Sequence, residues 1–189
     1  LVVDWEEFRD LQRAYLKAGV IDIEALTDHA IIGTLYRLAA KYNVKYVISG
    51  SNIETEGVLP NAWIFSKMDS VNIKDIHAQY GEVHLKTYPF FSILKKQYYL
   101  KFKKLNFISP LDWATYHKEA IKEIISKEIG WQDYGGKHHE SVFTKFYQNY
   151  ILPTKFKVDK RKAHLSNLIC SGQLTKAEAL KELEKPLYD

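Results

Sequence analysis

A polar stretch at residues 49–57 carries side chains that could contact a ligand. Hydroxyl, amide and carboxylate groups follow one another in it, on Ser49, Ser51, Asn52, Glu54 and Glu56, with Gly50 among them. Glycine lets a backbone approach a ligand closely, and free N–H groups at a helix start attract anions. The stretch therefore predicts contact with an anionic ligand, although a solvated turn between a strand and a helix fits the same residues equally well.

A second candidate is the sequence Lys137-His138-His139-Glu140. Neighbouring histidines on a helix or strand point in different directions, and no third ligand follows at a recognised metal-site spacing. We therefore predict no metal site here. Contact with a phosphate or carboxylate of a substrate suits these four residues better.

A third candidate is the charged cluster at residues 159–164, in which Lys160, Arg161 and His164 could serve catalysis. Between residues 137 and 164 there are seven basic residues and two acidic ones. Arginine binds phosphate through a planar fork and lysine as a point charge, so the cluster suits phosphate groups. A solvated helix start explains the same charges.

Residues 90–104 alternate lysines with Tyr98, Tyr99 and Phe102. Stacking aromatics and lysines can bind nucleic acid, and an amphipathic surface helix is the interpretation we favour. The single cysteine, Cys170, has no activating neighbour in sequence and excludes an internal disulfide.

These groups need elements that position them. Residues 46–48 form a short apolar run that predicts a fully buried strand of a parallel sheet, and residues 105–108 predict another. Residues 1–3 also predict a strand. Ligands of open α/β sheets bind at the carboxyl ends of the strands, where residue 49 begins the polar stretch.

Helices separate the predicted strands. Asp4 with Glu7 predicts a capped helix that stops at Gly19, and Thr27 predicts the cap of a second. The second helix should bury an apolar face formed by Ile31, Leu35, Leu38, Ala39 and Tyr42.

Further helices are predicted downstream by periodicity and caps. They cover residues 71–80, 90–104, a region from Ser109 and Pro110 to Gly130, a helix to Ile151 broken at Pro153, and residues 161–171 and 175–183. The predicted fold is an α/β core with a parallel sheet (domain 1–130), followed by a basic, mainly helical region (131–189).

Composition places the chain among ordinary globular proteins. It has 189 residues, 46% hydrophobic and 26% charged, with a net charge of +4. No apolar run approaches the roughly 20 residues of a membrane helix, and we expect a cytoplasmic protein without membrane or nucleic-acid partners. The sequence starts at Leu1 and its only methionine is Met68, so we expect further residues upstream.

Three stretches resemble the N-acetyl sugar amidotransferase family of surface-polysaccharide biosynthesis. They run from Thr27-Asp28-His29 to residues 51–57, then over residues 131–141 (WQDYGGKHHES), and then over residues 159–166 (DKRKAHLS). That family belongs to the PP-loop ATP pyrophosphatases. The resemblance implies a Rossmann-like core of the adenine nucleotide alpha hydrolase, or HUP, type.

The resemblance also implies an activity. A relative would use ATP and Mg²⁺ to adenylate the acetamido oxygen of a nucleotide-linked N-acetyl sugar, releasing pyrophosphate. Ammonia from a glutaminase partner would then displace AMP and leave an acetamidino group. A non-enzymatic polyanion binder, or a PP-loop enzyme with another substrate, remains open as an alternative.

Roles carried over from the family are tied to positions. Residues 49–56 match a nucleotide-facing loop, and residues 137–140 with Lys160, Arg161 and His164 match phosphate or sugar contacts. The Ser-Gly-Gly-x-Asp-Ser loop of the superfamily is absent, and Gly135-Gly136 lies in a different context. We expect that loop upstream of Leu1, so this polypeptide alone should not turn over ATP.

Overall fold

A computed structural model describes residues 4–134 and 140–187 of the chain. In this part the regular elements are mostly helices, with two short strands. In chain order they are α1 (Trp5–Ala18), α2 (Ala25–Lys41), β1 (Tyr46–Ile48), α3 (Ile53–Glu56), α4 (Ser70–Tyr80), α5 (Ile93–Lys101), β2 (Asn106–Ile108), α6 (Lys118–Ile129), α7 (Val142–Phe146), a π-helix (Tyr147–Phe156), α8 (Arg161–Cys170) and α9 (Lys176–Leu183). Two 3₁₀ turns, Asn61–Trp63 and Pro110–Trp113, lie between them.

The chain divides into two compact units that are each discontinuous in sequence. Unit 1 comprises residues 1–48 and 61–108, and unit 2 comprises residues 49–60 and 109–189. The polar stretch that follows β1 therefore belongs to the same unit as the C-terminal helices.

The first helix of unit 1 begins and ends where its sequence predicts. The Asp4 side chain accepts hydrogen bonds from the N–H groups of Glu6 and Glu7, and Gly19 ends α1 in the left-handed conformation. Glu7 does not complete a capping box. Its buried carboxylate accepts hydrogen bonds from the backbone N–H groups of residues 86–88 instead.

The two predicted strands pair in parallel, with Tyr46 opposite Asn106 and Ile48 opposite Ile108. The prediction that the first strand is fully buried was wrong, because Tyr46 and Ile48 are 64% and 75% exposed. Only Val47 packs on a core cluster, so helices cover one face of β1 and leave the other to solvent. The predicted strand at residues 1–3 lies outside the described residues.

The predicted start and buried face of α2 were both wrong. The helix begins at Ala25, and Thr27 lies inside its first turn. The predicted apolar stripe is largely exposed, with Ile31 at 49% and Leu38 at 46%, although Ala39 is buried. The opposite face is buried, and Gly33 on it lets a neighbouring segment approach closely: a Cβ on Gly33 would lie 2.4 Å from the Pro89 carbonyl oxygen.

The core of unit 1 forms where α1 packs against α4. One buried cluster joins residues of α1, α2 and α4 with Tyr88, and a second joins Tyr36, Ala39, Phe91 and Leu105. The mixed α/β class is confirmed. A Rossmann-like core is not confirmed, because the sheet within the described residues has only two strands.

Unit 2 is built around α8, which packs against both α3 and α9. Gly172 separates α8 and α9 in the left-handed conformation, and Thr175 caps α9, which confirms the predicted cap. Glu178 completes a capping box with Thr175. The predicted break at Pro153 was wrong. The helix continues past it as a π-helix to Phe156, whose wider turn tolerates the missing proline N–H.

Three other helix boundaries differ from the predicted ones: both ends of α5 and the start of α6. The lysine-rich helix α5 spans only Ile93–Lys101, with Ser92 as its cap. Ser109 and Pro110 begin a 3₁₀ turn, and α6 starts later and ends at Gly130 as predicted. Local capping signals thus gave most ends of the helices to within a few residues.

Candidate functional site

The candidate site lies in unit 2 and is formed by the segment Ser49–Pro60, here called the polar loop. Two hydroxyl groups of the loop lie beside a third from outside it: Ser49 Oγ is 2.8 Å from Ser51 Oγ, which is 3.3 Å from Ser109 Oγ. Ser49 and Ser109 are the residues that directly follow the two paired parallel strands. Exposed hydroxyls at this position can donate to phosphate or sugar oxygens.

Gly50 was predicted to permit close approach of a ligand to the backbone. A Cβ placed on this residue would meet nothing within 4 Å. The space beside Gly50 is open, so the chain itself does not require glycine here.

Asn52 shapes the loop by capping the short helix α3. Its buried side chain accepts hydrogen bonds from the Thr55 N–H at 2.9 Å and the Thr55 hydroxyl at 3.0 Å. The Ile53 N–H donates to Asp112 at 2.9 Å. Two N–H groups in the first turn of α3, those of Ile53 and Thr55, therefore have acceptors within the chain, and Asn52 supports the loop from inside.

A buried amide on α8 holds the end of the polar loop. Asn167 is 3% exposed. Its Oδ1 accepts from the Val58 N–H at 2.6 Å, and its Nδ2 donates to the Val58 carbonyl at 3.2 Å and to the Ala163 carbonyl at 3.0 Å. One side chain thus satisfies both backbone groups of Val58, which fixes the loop to α8.

A second amide, Gln173, positions one of the two loop carboxylates. Its Nε2 donates to Glu54 Oε2 at 2.8 Å and to the Tyr116 carbonyl at 3.0 Å. Its Oε1 accepts from the Lys118 N–H at 2.8 Å. Burial, together with the charges of Glu56 and Glu54, raises the pKa of the Tyr116 phenol.

The loop offers hydroxyls and carboxylates to a ligand. The hydroxyls suit the oxygens of ATP, whereas Glu54, Glu56 and Asp112 would repel phosphates directly and suit a hydrated Mg²⁺ that the nucleotide carries. No group of three or more His, Cys, Asp or Glu residues within 4–134 and 140–187 is arranged to hold a metal ion. The fit to Mg-ATP therefore depends on a cation brought by the nucleotide.

Arg161 from the basic cluster has structural partners. Its guanidinium contacts both carboxylate oxygens of Asp159, the nearest at 2.9 Å. It also donates to the carbonyls of Glu182, Leu183 and Lys185, at the end of α9. All three of its nitrogens are thereby engaged, so contact with a phosphate would require some of these bonds to break.

Replacing Arg161 by alanine is expected to lower the free energy of unfolding by about 2 kcal/mol, because it removes the ionic partner of Asp159 and the side-chain donors to the last carbonyls of α9. Urea denaturation followed by circular dichroism measures this. Arg161→Lys should recover less than half of the loss, since an ammonium cannot reproduce the fork. Lys162→Ala, an exposed neighbour on α8, is the control and should be within about 0.5 kcal/mol of the unchanged chain. Equal effects of R161A and K162A would contradict the structural role.

The other predicted site residues are distributed as follows. Lys160 directly precedes α8, and His164 lies one turn into the helix. Lys137, His138 and His139 lie outside the described residues, and Glu140 is the first described residue after them. Their contacts with substrate stay predictions.

Sequence reasoning missed three residues that build the site: Asp112, Asn167 and Gln173. Each contacts a loop that lies more than 50 positions away in sequence. The only local signal was an amide within α8, where Asn167 follows Ala163 by one helical turn. Asparagine is a weak helix former, and its presence inside a helix can indicate a tertiary hydrogen bond.

The architecture defines unit 2 as a helical module that holds a polar loop against its central helix. Residues 140–189 match the family model described as LPS biosynthesis protein WbpG-like, C-terminal domain. This match supports the assignment to a family of lipopolysaccharide biosynthesis proteins that the sequence resemblance indicated. No curated protein and no solved structure matches the chain significantly.

Proposed function

We propose that this chain is part of the synthetase component of an ATP-dependent amidotransferase in lipopolysaccharide biosynthesis. It would convert the acetamido group of a nucleotide-linked N-acetyl sugar into an acetamidino group, in the cytoplasm, with ammonia from a glutaminase. The match of residues 140–189 supports the biosynthetic role. The activity rests on the three stretches that resemble the N-acetyl sugar amidotransferases.

One structural observation supports the proposal most. The polar loop, from the first resembling stretch, is held by α8, which carries most of the third stretch and lies within the matched segment. The double hydrogen bond from Asn167 to Val58 and the bond from Gln173 to Glu54 make this connection. Val58 directly follows the first stretch and Asn167 directly follows the third, and this contact across about a hundred positions supports the proposal that both stretches serve one site.

The chemistry requires an activated oxygen. An amide oxygen is a poor leaving group, so attack by ammonia on the acetamido carbon needs that oxygen converted to a phosphate ester. Attack of the oxygen on the α-phosphate of ATP forms the adenylate and expels pyrophosphate. Ammonia then adds to the carbon, AMP leaves with the oxygen, and loss of a proton gives the amidine.

The residues described here would bind and orient. The hydroxyls of Ser49, Ser51 and Ser109 would donate to nucleotide oxygens. Asn52 and Asn167 would keep the backbone of the polar loop in place. Preorganised donors of this kind stabilise developing charge without reorganising during the reaction. A Rossmann-like core and the Ser-Gly-Gly-x-Asp-Ser loop remain parts of this proposal that the resemblance alone supports.

The test uses the full-length protein that contains this chain. It is supplied with ATP, Mg²⁺, ammonium and a panel of nucleotide-linked N-acetyl sugars, and pyrophosphate release is measured. Release that depends on both a sugar and ammonium, with an amidino product seen by mass spectrometry, is the expected result. Release with other acceptors only would indicate a PP-loop enzyme of another specificity, and no release with any acceptor would count against the proposal.

In the same assay, Asn167→Ala is expected to lower kcat/KM for the sugar about 10-fold or more, because Val58 loses both partners and the loop is no longer fixed. Asn167→Asp keeps the acceptor for the Val58 N–H and loses both donors, so its kcat/KM should lie between those of N167A and the unchanged protein. Cys170→Ala, an exposed position on the same helix outside the resembling stretches, is the control and should leave kcat/KM unchanged. Unchanged kinetics in a folded N167A variant would separate the polar loop from the reaction.

A further inference from the structure

The helix α5 has an exposed apolar stripe that the proposed function does not use. Leu94, Tyr98 and Phe102 follow one another at helical spacing and are 81%, 47% and 75% exposed. The opposite side of the helix is anchored, because Tyr99 and Leu100 pack on the buried cluster around Phe91 and Leu105. The stripe is therefore held outward on a fixed element.

Positive charge surrounds this stripe. Residues 83–111 contain no aspartate or glutamate, and their six lysines are Lys86, Lys95, Lys96, Lys101, Lys103 and Lys104. At 100° per residue, Lys95 and Lys101 fall on the two flanks of the stripe. Lysines beside an apolar stripe can place their stems along it and their ammonium groups beyond it.

We propose that α5 binds the surface of a bilayer that contains anionic lipids. The stripe Leu94, Tyr98 and Phe102 would enter the boundary between headgroups and acyl chains, while the flanking lysines contact lipid phosphates. Interfacial helices of other proteins combine the same two features. No helix in the described ranges is long and apolar enough to cross a membrane, and surface binding needs no such helix.

Two other occupants fit the stripe less well. A second copy of the chain docked on the same face would bring the lysines of both copies together, which like-charge repulsion disfavours. Single-stranded nucleic acid would need free aromatic faces, but the rings of Tyr98 and Phe102 stack on each other with centroids 5.5 Å apart. The aliphatic side chain of Leu94 gives a base no stacking partner.

This inference changes the expectation that the chain has no membrane partner. That expectation depended on the absence of a long apolar segment. A search for long apolar segments does not detect a short helix with one apolar face and flanking lysines, because its stripe contains only three large apolar side chains.

The test is co-sedimentation of the full chain with vesicles. One set is phosphatidylcholine alone, and in the other about a third of the lipid is phosphatidylglycerol. We expect binding to the anionic vesicles that weakens at high salt, and at least about 10-fold weaker binding to the neutral ones. Leu94→Gln with Phe102→Gln tests the stripe, and Lys95→Gln with Lys101→Gln tests the charges.

A matched control comes from α9, where Leu180 is 54% exposed and Lys181 is its neighbour. Leu180→Gln with Lys181→Gln removes the same kinds of group from another helix and should bind as the unchanged chain does. Circular dichroism establishes that all variants are folded. Loss of anionic-vesicle binding in both α5 variants, and not in the control, is the expected result.

Other outcomes overturn the proposal. They include no binding to anionic vesicles at low salt, or binding that neither α5 variant reduces. Binding that needs the lysines and not the stripe, and that single-stranded RNA competes away, would assign the surface to polyanions. Self-association abolished by the stripe variant would assign it to a second copy of the chain.

Discussion

Replacing Glu7 by alanine is expected to lower the free energy of unfolding by about 3 kcal/mol or more. The Glu7 carboxylate is buried and accepts hydrogen bonds from the backbone N–H groups of Lys86, Thr87 and Tyr88, at 2.8 to 3.0 Å. It joins α1 to a segment about 80 positions downstream. Alanine would remove the charged acceptor of all three donors, of which the Tyr88 N–H is buried, and a hydrogen bond to a charged group contributes about 1.5–3 kcal/mol.

Urea denaturation monitored by circular dichroism measures the effect. Glu6→Ala is the matched control, since Glu6 is an exposed glutamate in the same helical turn. It should change the free energy of unfolding by no more than about 0.5 kcal/mol. Similar decreases in the free energy of unfolding of E6A and E7A would assign the effect to negative charge at the start of α1, and not to the bonds to residues 86–88.

Glu7 also predicts the behaviour of the chain in acid. Burial by itself raises the pKa of Glu7, but the backbone hydrogen bonds from residues 86–88 outweigh it, so the pKa lies below 4.5. A carboxyl group whose pKa is lowered by folding stabilises the fold above its ordinary pKa. This contribution is lost as the pH falls through the lowered value. Asp10 acts in the same direction, because the N–H groups of Val83 and Glu82 and the His77 ring overcome its burial.

The second large effect is expected at His29, which is fully buried in unit 1. The Phe91 N–H donates to His29 Nε2 at 2.9 Å, so Nδ1 carries the proton and donates to the Lys67 carbonyl at 2.8 Å. His29→Phe is expected to lower the free energy of unfolding by about 3 kcal/mol, because it leaves the buried Phe91 N–H and the partly buried Lys67 carbonyl without their His29 partner.

The chain should also lose stability below neutral pH through His29. Burial lowers the pKa of His29, with an added contribution from Lys95, and this outweighs the opposing effects of the Lys67 carbonyl and Asp69. The folded state therefore favours the neutral form of the His29 ring. Its contribution is complete above the ordinary histidine pKa of about 6.5 and is lost as the pH falls below it, when the unfolded chain takes up a proton.

Urea denaturation at pH 7.5 and 5.5, values about one unit either side of that pKa, tests this. His29→Gln keeps one donor and one acceptor, so it should be more stable than H29F and less sensitive to pH than the unchanged chain. His84→Gln, an exposed position in the same unit, is the control. The same pH dependence in H29Q as in the unchanged chain would exclude His29 as its cause.

The positions of the elements could be predicted from local signals. Asp4 and Gly19 define α1, Thr175 begins α9, and the two strand runs pair in parallel. These signals act over a few residues, so the sequence contains them completely. The buried faces could not be predicted in this way. In α2 the predicted stripe around Ile31 and Leu38 faces outward, and the face that carries Gly33 is buried because the chain around Pro89 and Phe91 approaches closely there.

The candidate site was predictable only in part. The polar loop was found from its residue types and its position after a strand. The side chains that hold it, Asn167 and Gln173, come from the far end of the chain, and no local pattern connects them with Val58 or Glu54. Arg161 shows the opposite case, because its type suited phosphate whereas its described contacts are those of a helix cap.

The exposed face of β1 has a practical consequence for work with this polypeptide. Two paired strands leave an outer edge on each side of the sheet that no strand of the described ranges occupies, and Tyr46 and Ile48 add apolar surface beside it. Such edges recruit strands from other molecules. The polypeptide should therefore aggregate as its concentration rises. Ile48→Lys would place a charge on that surface, and we expect it to reduce the aggregation.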